Sequence, residues 1–269
     1  MRFTAADVLS AAHRSLATAG AHDRSGWLAL FTADATVEDP VGSQPHRGQA
    51  ALGRFYDTFI GPRAIDHRPG QDLVVGSTVL RDLELQITMA ASLTMRVPAY
   101  LRYDLREDGG ELKIAALSAY WELPAMIGQF LRGGPAAAPA GLALGRAMAG
   151  NQGLVGTLGF LGGFRGSGTG AKALAARLLH QACGGDEVGV RRLAARAQLT
   201  RGDSDPLTTS ELVKQLSGGV PGKIIRSGRA VAARVDRDGQ PRRPRCIVIA
   251  DIGADRAVLS RIRLFGEPG

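Results

Sequence analysis

One order of elements runs through this chain twice: helix, helix, Asp-Pro, helix, then several strand-like runs. The copies are separated by residues 125–167, a Gly-, Ala- and Leu-rich stretch without a single Asp or Glu. Helices that precede a run of strands predict α+β, with the helices on one face of a curved antiparallel sheet. The repetition predicts two such domains, over 1–124 and 168–269, with 125–167 as a partly helical linker that packs against them. A chain of 269 residues is long enough for both, since compact domains usually run to about 100 to 150 residues.

In the first copy Val8, Leu9, Ala12, Leu16 and Ala19 recur at three- and four-residue steps, which predicts a helix over 5–19. A second short helix is expected over 24–31, capped by Asp23. Residues 35–38 read as a strand that ends at Asp39-Pro40, because proline cannot donate to a ladder and restricts the residue before it. A third helix over 48–59 turns Leu52, Phe55, Tyr56 and Phe59 toward the core. Strands are expected over 71–75, 78–85, 87–91, 93–105 and 111–121, with Glu107-Asp108-Gly109-Gly110 as a hairpin turn between the last two. Alternation along 93–105 turns Leu101, Tyr103 and Leu105 inward and Asp104 outward.

The second copy reads as helices over 172–183, up to 195, and 210–216, then strands over 223–226, 229–235, 245–250 and 257–265, with Asp238-Gly239 as a turn. Its Asp205-Pro206 corresponds to Asp39-Pro40, but the polar residues before it point to a structural half, with Asp205 as a base the minority reading.

Charge is divided unevenly. Residues 1–124 carry 12 Lys and Arg against 15 Asp and Glu, whereas 168–269 carry 18 against 10. The basic residues of the second half are scattered and almost free of interleaved aromatics, so no nucleic-acid partner is expected. Cys183 and Cys246 are too few for a disulfide framework and lack the paired spacing of metal or redox motifs, so neither a metal nor a cofactor is expected. No apolar run after Met1 has the form of a secretory signal, which predicts a cytoplasmic protein. Nor does 125–167 hold the roughly 20 continuous apolar residues of a membrane span; a peripheral membrane contact there is the lesser expectation.

The stretch ALFTADATVEDPVGSQPHRGQAALGRFYDTF (29–59) and the ending LSAYWELP (117–124) resemble the bacterial steroid Δ5-isomerases, or ketosteroid isomerases, of the NTF2-like, SnoaL-type cone proteins. The most specific part is ATVEDPVG (35–42), and the match runs over most of 5–124. The resemblance implies a conical barrel with a deep apolar pocket, here as a tandem two-domain member. It also implies that Asp39 shuttles a proton between two carbons of a steroid, a chemistry for which this family is itself a standard worked case of carboxylate tuning. In the family a tyrosine on the first helix and a protonated aspartate on a late strand hold the enolate oxygen. Those positions fall on Ser15 and Leu101 here. Tyr56 matches a tyrosine behind that oxyanion site, Tyr103 is a further candidate donor, and Trp121 matches an aromatic pocket wall. His13, near Ser15 on the first helix, carries little weight as a catalyst.

Three functions remain open at this point. In the first, Asp39 moves a proton on a hydrophobic ketone, in the way a steroid Δ5-isomerase acts on a 3-oxo-Δ5-steroid. In the second, the cone is a non-catalytic hydrophobic-ligand or interaction scaffold, consistent with the loss of the donors at Ser15 and Leu101. In the third, the chain resembles polyether-type epoxide hydrolases and cyclases, and needs a second carboxylate facing Asp39, for which Asp66 and Asp104 are the candidates. The expected partner is a small hydrophobic substrate, and the second domain is expected to form an internal pseudo-dimer with the first.

Overall fold

The computed structural model describes residues 3–90, 93–160, 169–237, 240–253 and 258–266. The chain forms two compact units, Met1–Phe164 and Arg165–Gly269.

In the first unit, α1 (Ala5–Gly20) starts at Thr4, whose side chain accepts from the Asp7 N–H while the Asp7 carboxylate accepts from the Thr4 N–H. This reciprocal cap satisfies two backbone donors that no helix can satisfy internally. The helix buries Val8, Ala11, Ala12, Ser15 and Ala19, small side chains that let it approach a sheet closely. Then α2 (Arg24–Ala29) is capped by Asp23, as expected, through a 2.8 Å bond from the Gly26 N–H. Next come β1 (Phe31–Glu38), β2 (His46–Arg47) and α3 (Gly48–Phe55), which widens into a π-helical turn over Tyr56–Ile60. The expected third helix is therefore α-helical only to Phe55.

The sheet is completed by β3 (Ala64–Val75), β4 (Thr78–Ala90), β5 (Leu93–Asp108) and β6 (Glu111–Tyr120), in the order β2-β1-β6-β5-β4-β3. The hairpin turn between β5 and β6 lies at Gly109 and Gly110, both with positive φ, which a two-residue turn matching the strand twist requires. The runs 78–85 and 87–91 are one strand as far as Ala90, since Gln86 keeps its place opposite Arg96, and residue 91 lies outside the described residues. The sheet is mixed, because β1 runs parallel to β6 (Val37↔Leu117, Glu38↔Ser118) while its other strand pairs are antiparallel. Local alternation carries no information on strand direction, so the expectation of an antiparallel sheet missed this pair.

Alternating residues of the sheet form one core with the helices: Ala35 and Val37 of β1, Val79, Leu83 and Leu85 of β4, and Leu101, Tyr103 and Leu105 of β5. At its wide side Trp27 is 1% exposed and stands 4.4 Å from Phe31 and 5.5 Å from Tyr56, ring centre to ring centre. Replacing it by Ala should cost about 3–5 kcal/mol. Urea unfolding followed by the fluorescence of Trp121, the other tryptophan of the chain, measures that loss in this unit alone. Helices α4 (Leu123–Arg132) and α5 (Ala138–Phe160), from the stretch read as a linker, fall within this unit. Residues 161–167 lie outside the described residues.

The second unit repeats the arrangement. Its helices are α6 (Thr169–Cys183), α7 (Glu187–Leu193) and α8 (Thr209–Leu216). Its strands are β7 (Gln198–Arg201), β8 (Asp205–Pro206), β9 (Gly219–Ser227), β10 (Ala230–Arg237), β11 (Gln240–Ile252) and β12 (Leu259–Gly266). They take the order β8-β7-β12-β11-β10-β9, with β7 parallel to β12. The chain is thus two NTF2-like cone units in tandem. Asp238 and Gly239, the expected turn, lie outside the described residues, although Arg237 pairs with Gln240 across it. Asp205 corresponds to a residue of β2 and not to Asp39, because β7 ends at Arg201 and turns at Gly202, φ 57°. It is exposed. Among the described residues no helix is long and apolar enough to cross a membrane.

Candidate active site

Parallel pairing builds the site. With Glu38 opposite Ser118, the residue that follows β1 and the residue that follows β6 emerge side by side. These are Asp39 and Trp121, and the indole Nε1–H donates to Asp39 Oδ1 at 2.5 Å. The loop after Asp39, whose bond to Pro40 is cis, is tied down on both sides. The Val41 N–H donates to the Ala119 carbonyl at 2.8 Å, and the Gly42 N–H to Glu38 Oε1 at 2.7 Å. The carboxyl is therefore positioned by backbone and not by a flexible tether.

Asp39 keeps some accessible surface, yet protein atoms crowd its carboxyl from all sides. A carboxyl crowded by protein atoms is solvated far less than its exposed area suggests, so crowding governs its ionisation. Desolvation raises its pKa from 3.8 to about 6, and the Trp121 hydrogen bond, which favours the charged form, offsets only part of that. No cation pairs with it among the described residues.

Tyr103 is wholly buried on the inner face of β5, and its hydroxyl has no hydrogen-bond partner among the described residues. Burial pushes its pKa up to about 12, while the nearby Ser15 hydroxyl pulls the other way without reaching normal hydrogen-bond geometry. Asp39 and Asp72 also raise it and Arg81 lowers it, so these charges surround one phenol. Ser15, on the buried face of α1, is 2% exposed. Leu101 is one inward position from Tyr103, facing Arg81 of β4 and Ala119 of β6.

Asp39, Trp121, Tyr103, Ser15 and Leu101 thus line one core, Tyr103 electrically coupled to Asp39. Tyr56 shares that core but faces elsewhere: its ring lies against Trp27, and the charges acting on its hydroxyl are Asp23, Arg24 and Asp57. That hydroxyl is also buried without a partner among the described residues. Of the two carboxylates considered opposite Asp39, Asp66 is exposed, and Asp104 is on the outer face, bonded to Thr78 and Arg102.

The residues missed in the sequence are Asp72 and Arg81. Arg81 occupies the apolar phase of β4, between Val79 and Leu83, and is 4% exposed. A charged residue on the buried phase of an alternating strand was a legible signal. Asp72 was not legible, because a bulge between Pro69 and Asp72 adds one residue to β3 and brings Asp72 opposite Arg81. Gly70 permits it: a Cβ there would lie 2.4 Å from the Asp82 carbonyl oxygen. Asp72 Oδ1 accepts from Arg81 Nε at 2.9 Å, and Asp72 Oδ2 pairs with His13 Nε2 at 2.8 Å. Among the described residues, no group of His, Cys, Asp and Glu is placed to hold a metal ion.

The family model described as a SnoaL-like domain matches residues 12–116. Among solved structures, a Δ5-3-ketosteroid isomerase from Mycobacterium sp. is 32% identical over 45% of this chain and 96% of its own, with a TM-score of 0.41. A Mycobacterium tuberculosis protein solved in complex with estradiol-17β-hemisuccinate is 28% identical over 44% of this chain and 95% of its own, TM-score 0.40. An LEH-like epoxide hydrolase from M. tuberculosis is 18% identical over 48% and 92%, TM-score 0.41.

Proposed function

Residues 12–116 place the chain in the SnoaL-like family, and from that membership we propose that its first cone is a proton-transfer enzyme acting on a hydrophobic ketone, with Asp39 as the base. The observation that carries this reading is a carboxyl held by one indole N–H, without a paired cation among the described residues, at a pKa of about 6. Such a group is ionised at neutral pH yet binds a proton about a hundred times more tightly than an ordinary carboxylate, as abstraction from carbon requires.

In the reaction Asp39 removes a proton from the carbon between the carbonyl and the double bond of a Δ5-3-ketone. The C–H electron pair moves through the carbonyl carbon onto oxygen, giving a dienolate, and Asp39 returns the same proton to the far end of the conjugated system. Tyr103, whose hydroxyl lies in the same core without a hydrogen-bond partner among the described residues, donates to the oxygen that gains charge. Trp121 orients the carboxylate, and Leu101 supplies apolar wall. A steroid ketone is the substrate to try first, because ATVEDPVG (35–42) resembles the motif of the steroid isomerases.

The test is conversion of 5-androstene-3,17-dione to its conjugated enone, followed by absorbance. Here kcat/KM should rise with pH through about 6 and then level off, since Tyr103, held near 12, stays neutral over that range. A rate that is flat from pH 4.5 to 8 removes Asp39 from the role of base. Steroid binding without enone formation at any pH assigns the cone to ligand binding.

A further inference from the structure

Arg81 is a buried cation whose charge acts on the Tyr103 hydroxyl. Its side chain is 5% exposed on the concave face of the sheet, and its only hydrogen bond among the described residues is from Nε to Asp72. The terminal amines, four N–H donors, have no acceptor among the described residues. Tyr103 is its diagonal neighbour on the same face: Arg81 stands opposite Leu101, and Val79 opposite Tyr103. Such diagonal neighbours lie about 7–8 Å apart at the backbone, within reach of a long side chain and a phenol.

As a purely structural pair, Arg81 and Asp72 would be poorly chosen. A buried ion pair contributes little over an apolar pair of equal volume, and the terminal amines of this one bond no described residue. Donors directed at a ligand oxygen would account for the arrangement.

We propose that Arg81, anchored by Asp72, binds together with the Tyr103 hydroxyl the ligand oxygen on which negative charge develops when Asp39 takes its proton. The proposal rests on the role given to Asp39 and extends it to the kind of substrate accepted. Arg81 and Asp72 cancel, so with an ionised Asp39 the site stands at about −1 while His13, the other partner of Asp72, is unprotonated. A carboxylate ligand would bring it to −2, whereas a neutral ketone keeps −1 throughout and moves that charge from Asp39 to the oxygen beside Arg81. The site is thus suited to an uncharged ketone whose enolate forms in place, and not to a pre-ionised acid.

The probe is 2-naphthol, whose neutral and ionised forms fluoresce differently, bound to protein carrying Asp39→Asn. That background resembles the protein after proton uptake and needs no turnover. Adding Arg81→Met should lower the ratio of bound naphtholate to naphthol about tenfold or more at fixed pH. Adding Asp72→Asn instead, which keeps volume and leaves Arg81 uncompensated, should raise the ratio.

Opposite signs are the signature, since two halves of a structural pair would shift the probe the same way or not at all. Shifts of equal sign, no shift, or no naphthol bound overturn the proposal. If Arg81→Met does not fold, Asp72→Asn decides alone: a higher ratio supports it, and an equal or lower one overturns it. Isomerisation that depends on Asp39 would survive that failure, so the two readings fail separately.

Discussion

Asp39→Asn should lower enone formation at pH 8 by about a hundred- to ten-thousandfold, the usual contribution of a positioned general base. The substitution keeps the size of the side chain and leaves an oxygen to accept the Trp121 N–H. Binding of a non-reacting steroid should therefore change little. Stability should move the other way. A carboxyl whose pKa is raised from 3.8 to about 6 on folding contributes stability that is complete below about pH 4 and lost as pH climbs through about 6. The loss amounts to about 3 kcal/mol at neutral pH, an order-of-magnitude figure. Asparagine has no proton to lose, so the variant should be the more stable protein at pH 8 and should lack the wild type's decline in stability between pH 4 and 6. Urea unfolding at those pH values checks the second half, and equal turnover in the two proteins would defeat the first.

Tyr103→Phe should reduce turnover by about a hundred- to a thousandfold, the range seen when one oxyanion donor is removed. Its effect on folding should be neutral or favourable. The phenol oxygen is buried without a hydrogen-bond partner among the described residues, so its removal abolishes a desolvation cost and orphans nothing. A large loss of kcat with an unchanged or higher melting temperature is hard to produce by damage to the core. Tyr56→Phe is the matched control: it also removes a buried, unpartnered hydroxyl, but one under the influence of Asp23, Arg24 and Asp57. It should leave turnover nearly intact. If Tyr56→Phe loses activity and Tyr103→Phe keeps it, the donor assignment is reversed.

The sequence alone determined what depends on neighbours a few residues apart. Val8, Ala12 and Ala19 repeat with helical period and form one buried face of α1, Asp23 caps α2, and Gly109-Gly110 closes the β5–β6 hairpin. The phase that turns Leu101, Tyr103 and Leu105 inward follows from strand alternation and holds in the structure. The role proposed for Asp39 came from the short motif around it. The tertiary structure decided what depends on pairings between distant strands. That β1 runs parallel to β6 brings Asp39 to Trp121 across 82 positions of sequence, and neither strand's own pattern encodes the direction of its partner. One extra residue between Pro69 and Asp72 gives Arg81 its carboxylate, and a one-residue bulge reverses the face of every side chain after it without altering the hydrophobic pattern enough to be read. Which tyrosine lies near Asp39 was decided in the same way. Tyr56 and Tyr103 are both buried phenols, and only the packing of α1, β4 and β5 around Tyr103 sets it among Ser15, Arg81 and Asp39. Helix and strand identity are local properties of a chain, whereas electrostatics acts through space, so the charges around a buried group become known only when the chain is folded.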